Sequence, residues 1–104
     1  MLFQITRIWK AVNDFTKVIE EDNISSTSYY NRANAYFFLE KYELAIIDIE
    51  KAILIEPNAA DLYNNRAVIK EKLSLPHCDD YKKSCVLGDK LGCKNYNNLC
   101  EINK

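Results

Sequence analysis

The chain has 104 residues, room for one domain with a modest core. Hydrophobic residues make up 48% and charged residues 28%, and two Gly and two Pro leave little material for hairpin turns, so helices are favoured over sheet. The formal net charge of -1, with acidic and basic residues interspersed, gives no broad positive field, which argues against nucleic acid or anionic lipid as partner.

Residues 1–8 are apolar but carry no basic leader, long apolar centre or small-residue cleavage site, so they do not read as a signal peptide. No apolar run approaches the roughly 18 to 20 residues needed to cross a bilayer, and no membrane association is expected. Trp9 to Asn23 has the spacing of an amphipathic helix with Ala11, Phe15 and Val18 as packing residues, and residues 1–8 read as the tail of a helix before it. Leu2, Phe3, Ile5 and Ile8 have no evident partner within the chain, which predicts self-association through residues 1–8 or packing against further repeats.

The next stretch shows the period. Sliding the chain by 34 residues places Tyr29, Asn31, Arg32, Ala33 and Leu39 on Tyr63, Asn65, Arg66, Ala67 and Leu73. The same slide places Ala11, Asp14, Lys17 and Ile19 on Ala45, Asp48, Lys51 and Ile53. Within the unit from Ser26 to Ala59, Ala33, Ala45 and Ala52 let two helices approach closely. Tyr29, Tyr36, Leu39, Ile46, Ile49 and Ile53 fill the space around them. Ser25 or Ser26 supplies a helix start, Pro57 ends the second helix, and Asn58 and Asp61 suit the start of the next. This pattern resembles the tetratricopeptide repeat. Tyr29, Arg32, Ala33 and Tyr36 stand at the family's first-helix signature positions, with Ala33 replacing its usual glycine. Ala45, Ile49, Ala52 and Pro57 stand at the second-helix positions.

The expected organisation is a partial repeat over 1–24, a full repeat over 25–58, a repeat with a shortened turn over 59–89, and a closing helix over 90–104. The shortening is read from Asp80, Lys83 and Cys85, which match Asp48, Lys51 and Ile53 at an offset of 32. Gly88-Asp89 ends one helix, and a last helix from Lys90 to about Ile102 has a polar, Asn-rich face suited to an end. The expected fold is thus all-α, a right-handed solenoid of antiparallel hairpins with a closing C-terminal helix.

Cys78, Cys85, Cys93 and Cys100 are spaced by seven, eight and seven, so in an antiparallel hairpin they lie along one seam. Three pairings exist, and the geometry prefers Cys85 with Cys93 and Cys78 with Cys100. Reduced thiols packed as small apolar groups fit the same seam, and the sequence leaves the two states open. Two pairs about 10 Å apart do not form one tetrahedral zinc site, and no metal or cofactor is expected. Residues 83–93 also resemble the cysteine-rich Sel1-like repeats, in which cysteines at this separation are bonded across the helix pair. That resemblance implies a secreted, disulfide-stapled module as an alternative.

His77 beside Cys78 does not form a nucleophile pair, because neighbouring side chains on a helix diverge, and it reads as a hairpin-end histidine. Asp61, Asp79 and Asp80 read as helix-start charges. There is no glycine-rich phosphate loop, no metal-spaced histidine pair and no serine elbow, so no enzyme is expected. The family resemblance implies a non-catalytic module that binds a protein or peptide in a concave groove walled by the first helices of successive repeats. The wall would show Tyr30, Asn34 and Phe37, with Thr27 and Phe38, from one helix. Asp61, Asn64, Asn65, Val68 and Lys72, with Glu71, would come from the next. Some members grip a terminal carboxylate with a clamp. Asn34 and Asn65 match two of its positions, but Tyr30 stands where it has lysine and Asn95 and Leu99 where its third helix is basic, so acidic chaperone tails are not expected ligands. A structural piece of a longer array is the competing reading. The location expected is cytoplasmic, or secreted or periplasmic if the cysteines are paired.

Overall fold

The computed structural model describes residues 2–100. Met1, the side chain of Leu2 and residues 101–104, including the expected helix end at Ile102, lie outside the described residues. The described residues form six helices: α1 (Leu2–Glu21), α2 (Ser26–Phe38), α3 (Tyr42–Ile55), α4 (Ala60–Lys72), α5 (Cys78–Val86) and α6 (Lys90–Leu99). Each helix packs on its neighbour in sequence, and α4 also meets α6. The result is an all-α helical-repeat solenoid, elongated to 45 × 32 × 20 Å.

The punctuation explains the hairpins. Ser25 caps α2 by accepting from the Ser28 N–H at 3.2 Å. α2 and α4 end alike: Glu40 and Ser74 adopt positive φ (60° and 56°), and the N–H groups of Lys41 and Leu75 reach back to the carbonyls of Tyr36 and Lys70. Gly88 (φ 103°) ends α5 the same way, and Asp89 then caps α6 by accepting from the Leu91 N–H at 3.2 Å.

The core sits inside the hairpins, as the small residues require. Ala33, Ala45, Ala52 and Ala67 are at most 1% exposed, with Ile49, Ile53, Tyr29, Tyr63 and Leu62 around them. Ala33 and Ala67, matched by the 34-residue slide, occupy equivalent buried positions.

Two expectations are corrected. The break near residue 8 is absent, and α1 is one continuous helix, since no Gly or Pro interrupts residues 1–24. The shortening expected in the turn Ser74-Leu75-Pro76 is taken from the helix. The α4–α5 connection runs from 73 to 77, and α5 has 9 residues where α3 has 14. Pro76 disfavours helical backbone at Leu75, so α5 cannot extend back through the connection.

Candidate functional site

Two copies of one side-chain quartet hold the first helix of each repeat against its second. On α2, Arg32 donates from Nε to Asp48 Oδ2 at 2.7 Å and from Nη2 to Oδ1 at 2.8 Å. On α4, Arg66 makes the same two bonds to Asp80, each 2.9 Å, and Lys70 adds a contact at 2.9 Å. The Lys51 ammonium lies 5.6 Å from the Tyr29 ring centre, and Lys83 lies 5.9 Å from that of Tyr63. Planar guanidinium matched to carboxylate fixes both distance and rotation of the helix pair. The hydrogen bonds that Arg32 donates to Asp48 outweigh burial and raise the guanidinium above its ordinary value, and those that Arg66 donates to Asp80 do the same for Arg66.

Asp80 stands in the first turn of α5, as a helix-start charge should, but its face is not solvated: it is buried inside this network. Burial opposes its ionisation, but bonds from Arg66 and Lys70 and their positive charge hold the carboxyl below the usual carboxylate range. Asp61 and Asp79 are exposed in the first turns of α4 and α5.

With each first helix locked on one side, the opposite faces of α2 and α4 stand apart and leave a groove. Its wider part is a cleft of about 230 Å³ lined by Asn34, Phe37, Phe38, Asn65, Val68 and Ile69. Phe38 is 73% exposed at its lip and meets the Phe37 ring edge-on at 6.1 Å. A smaller cleft of about 100 Å³ is lined by Thr27 and Tyr30 near the start of α2, Asp61 in the first turn of α4, and Glu56 at the end of α3. Glu56 accepts a short hydrogen bond from the Ser26 hydroxyl there. Neither cleft, among the described residues, is lined by Lys or Arg.

Eight of the eleven residues expected on the groove wall therefore line one cleft or the other: Thr27, Tyr30 and Asp61 the smaller, Asn34, Phe37, Phe38, Asn65 and Val68 the wider. Asn64 does not. It is 5% exposed and accepts from Asn95 Nδ2 at 3.0 Å, because α6 closes directly on α4. Lys72, exposed at the end of α4, lines neither cleft, and Glu71 turns toward α5 to accept from the Tyr81 hydroxyl. Burial first, and then that bond to Glu71, push the Tyr81 phenol upward. Ile69 was missed. It sits four residues after Asn65, a spacing that places both on one helix face.

The cysteines lie away from this groove, on the last hairpin. Cys78 is bonded to Cys100 and Cys85 to Cys93. His77 precedes the first residue of α5, where its ring meets Tyr81 edge-on at 5.8 Å and its Nδ1 lies 3.0 Å from the Leu75 carbonyl. No group of His, Cys, Asp and Glu among the described residues is arranged to hold a metal ion. No helix among them is long and apolar enough to cross a membrane.

Residues 26–59 match the family described as Tetratricopeptide repeat. The chain is 36% identical over 89 residues to the DnaJ homolog subfamily C member 7 homolog of Dictyostelium discoideum, a match covering 84% of this chain but 16% of that protein. Among solved structures it is similar to the Arabidopsis OM64 TPR domain, with 27% identity, a TM-score of 0.82, and coverage of 96% of this chain and 86% of that one. It is similar in fold to the first TPR of Spaghetti (RPAP3) bound to the HSP90 peptide SRMEEVD, with 21% identity, a TM-score of 0.82, and coverage of 95% and 84%.

Proposed function

Residues 26–59 form a tetratricopeptide repeat and the chain has the fold of tetratricopeptide domains, and on that premise we propose that it is a non-catalytic module that holds a short extended peptide of a partner protein in the α2/α4 groove. The observation that carries the reading is the apolar cleft of about 230 Å³ between two side-chain amides, Asn34 and Asn65. Phe37, Phe38, Val68 and Ile69 receive one apolar side chain, and the amides can bond a peptide backbone in either direction.

The charge at the other end selects the ligand. Glu56 and Asp61 line the smaller cleft and no cation lines either, so a peptide with a basic residue at that end is favoured. The RPAP3 domain is bound to a peptide ending in Glu-Glu-Val-Asp. Such a tail would meet like charge here, and without basic clamp residues nothing compensates.

Selection of random dodecapeptides on the purified chain tests this. Enriched sequences should pair a bulky apolar residue with Lys or Arg, and Val68→Glu should weaken them at least about tenfold, or roughly 1.4 kcal/mol. Acidic consensus sequences, or binding that Val68→Glu leaves unchanged, would overturn the reading.

A second reading is favoured by the start of α1, where Phe3 is 85% and Ile5 45% exposed. There, residues 3–8 pair two copies of the chain. A concentration-dependent dimer that Phe3→Asp dissolves in light scattering supports it, and a monomer at all concentrations removes it.

A further inference from the structure

The internal repeat identifies a second docking surface, on α1, and states what it takes. Two faces of α1 are distinct. Trp9, Val12, Thr16 and Ile19 face α2: Trp9 meets Tyr36 at 6.5 Å, Thr16 Oγ1 accepts from Arg32 at 3.1 Å, and Val12 and Ile19 are buried. Ala11, Asp14, Phe15, Lys17 and Val18 lie on the adjoining face, turned away from it.

The residues equivalent to that second face recur elsewhere in the chain. The 34-residue slide matches Ala11, Asp14, Phe15 and Val18 to Ala45, Asp48, Ile49 and Ala52 of α3, which are 0%, 2%, 0% and 0% exposed. They are covered by α2, whose Arg32 pairs with Asp48 while Lys51 sits over Tyr29. In α5 the same device recurs as Asp80 with Arg66 and Lys83 over Tyr63. On α1 the same face is open. Asp14 is exposed and makes no ion pair among the described residues, Val18 is 46% exposed, and Phe15 is only half-buried.

We propose that this face of α1 binds an amphipathic helix of another polypeptide that presents an aromatic residue and, three positions later, an arginine followed by a small residue. The arginine pairs with Asp14, the aromatic ring lies under Lys17, and the small residue lets the helix approach Ala11. Two features choose this occupant. The chain's own α6 is a poor substitute, because its positions equivalent to Arg32 and Ala33 are Tyr96 and Asn97. A tight hairpin of the α2–α3 kind is also absent: residues 5–7, equivalent to the turn 39–41, are helical. The covering helix therefore does not enter through such a turn.

The probe is a synthetic peptide copying residues 24–41, titrated into the whole 104-residue chain and followed by backbone NMR. Resonances of Ala11, Asp14, Phe15 and Val18 should shift. Asp14→Asn in the protein, or Arg32→Ala in the peptide, should each weaken binding about tenfold, and the two together should cost little more than either alone. Ala11→Arg, at a site exposed enough to leave the fold intact, should abolish it, and circular dichroism checks that helix content is kept. The proposal is overturned if no shift occurs at millimolar peptide. It is equally overturned if binding tracks Asp48 instead of Asp14, which marks exchange with the chain's own α2, or if Val68→Glu removes it, which marks the groove. A dimer that needs Asp14 and that the peptide does not displace would assign the face to a second copy and overturn it too.

Discussion

Asp48→Ala tests how the two helices of a repeat are held together. Asp48 is 2% exposed and accepts two bonds from Arg32, at 2.7 and 2.8 Å. Removing it leaves a guanidinium whose side chain is 15% exposed. Breaking a buried pair costs about 3–5 kcal/mol, because the surviving charge is stranded. Arg32 keeps its bond to Thr16 and lies about 6 Å from the Tyr29 and Tyr36 rings, so the lower end applies, about 3 kcal/mol. For a chain of this size that is a fall in Tm of roughly 12–24 °C, against a total stability of only about 5–15 kcal/mol. The assay is urea unfolding followed by helical circular dichroism, with Asp14→Ala as control. Asp14 occupies the same repeat position without its arginine, and its loss should change stability by less than about 0.5 kcal/mol. Equal losses from the two substitutions, or a loss below about 1 kcal/mol from Asp48→Ala, would refute the reasoning.

A methyl group on Gly92 would lie 2.2 Å from Ser84 Oγ and 2.7 Å from its Cβ, so Gly92→Ala should cost about 1–3 kcal/mol by overpacking the last hairpin, read by the same unfolding assay. The Asp80 carboxyl is held below its ordinary value, so its contribution is present above the unfolded pKa near about 4 and is lost as pH falls through the folded value. Asp80→Asn should therefore destabilise the chain at pH 7, and its deficit against the wild type should shrink in acid. Thiol titration of the unreduced, denatured chain should find none free, since Cys78–Cys100 and Cys85–Cys93 are bonded. Reduction should lower stability by about 3 kcal/mol for the bond spanning 22 residues. Four reactive thiols would instead fit a reducing compartment.

The helices and their core were legible because the alanines, tyrosines and turn residues recur at one period, and a period is visible without coordinates. Glu40 and Ser74 were not, since their positive φ comes from the helix-end bonding pattern and not from a glycine. The pairs Arg32–Asp48 and Arg66–Asp80 were legible in principle, because Arg32 recurs as Arg66 on the 34-residue slide and Asp48 as Asp80 at an offset of 32. Asp80 beside Asp79 looked like a helix-start charge, and only the rotation of α5 decides which of the two turns inward. Asn64 and Asn65 pose the same difficulty. One residue of rotation sends Asn64 into α6 and leaves Asn65 on the groove. The loss of the first turn of α5 was hidden because a two-residue deficit in sequence does not say whether helix or loop gives way.

The groove itself is tested most directly by titrating an isotopically labelled chain with a selected basic-apolar dodecapeptide. Shifts should concentrate on the side chains and amides of Asn34, Phe37, Asn65, Val68 and Ile69, with Tyr30 and Asp61 following toward the basic end. Shifts confined to α5 and α6, or tighter binding of SRMEEVD than of the basic peptide, would contradict the assignment.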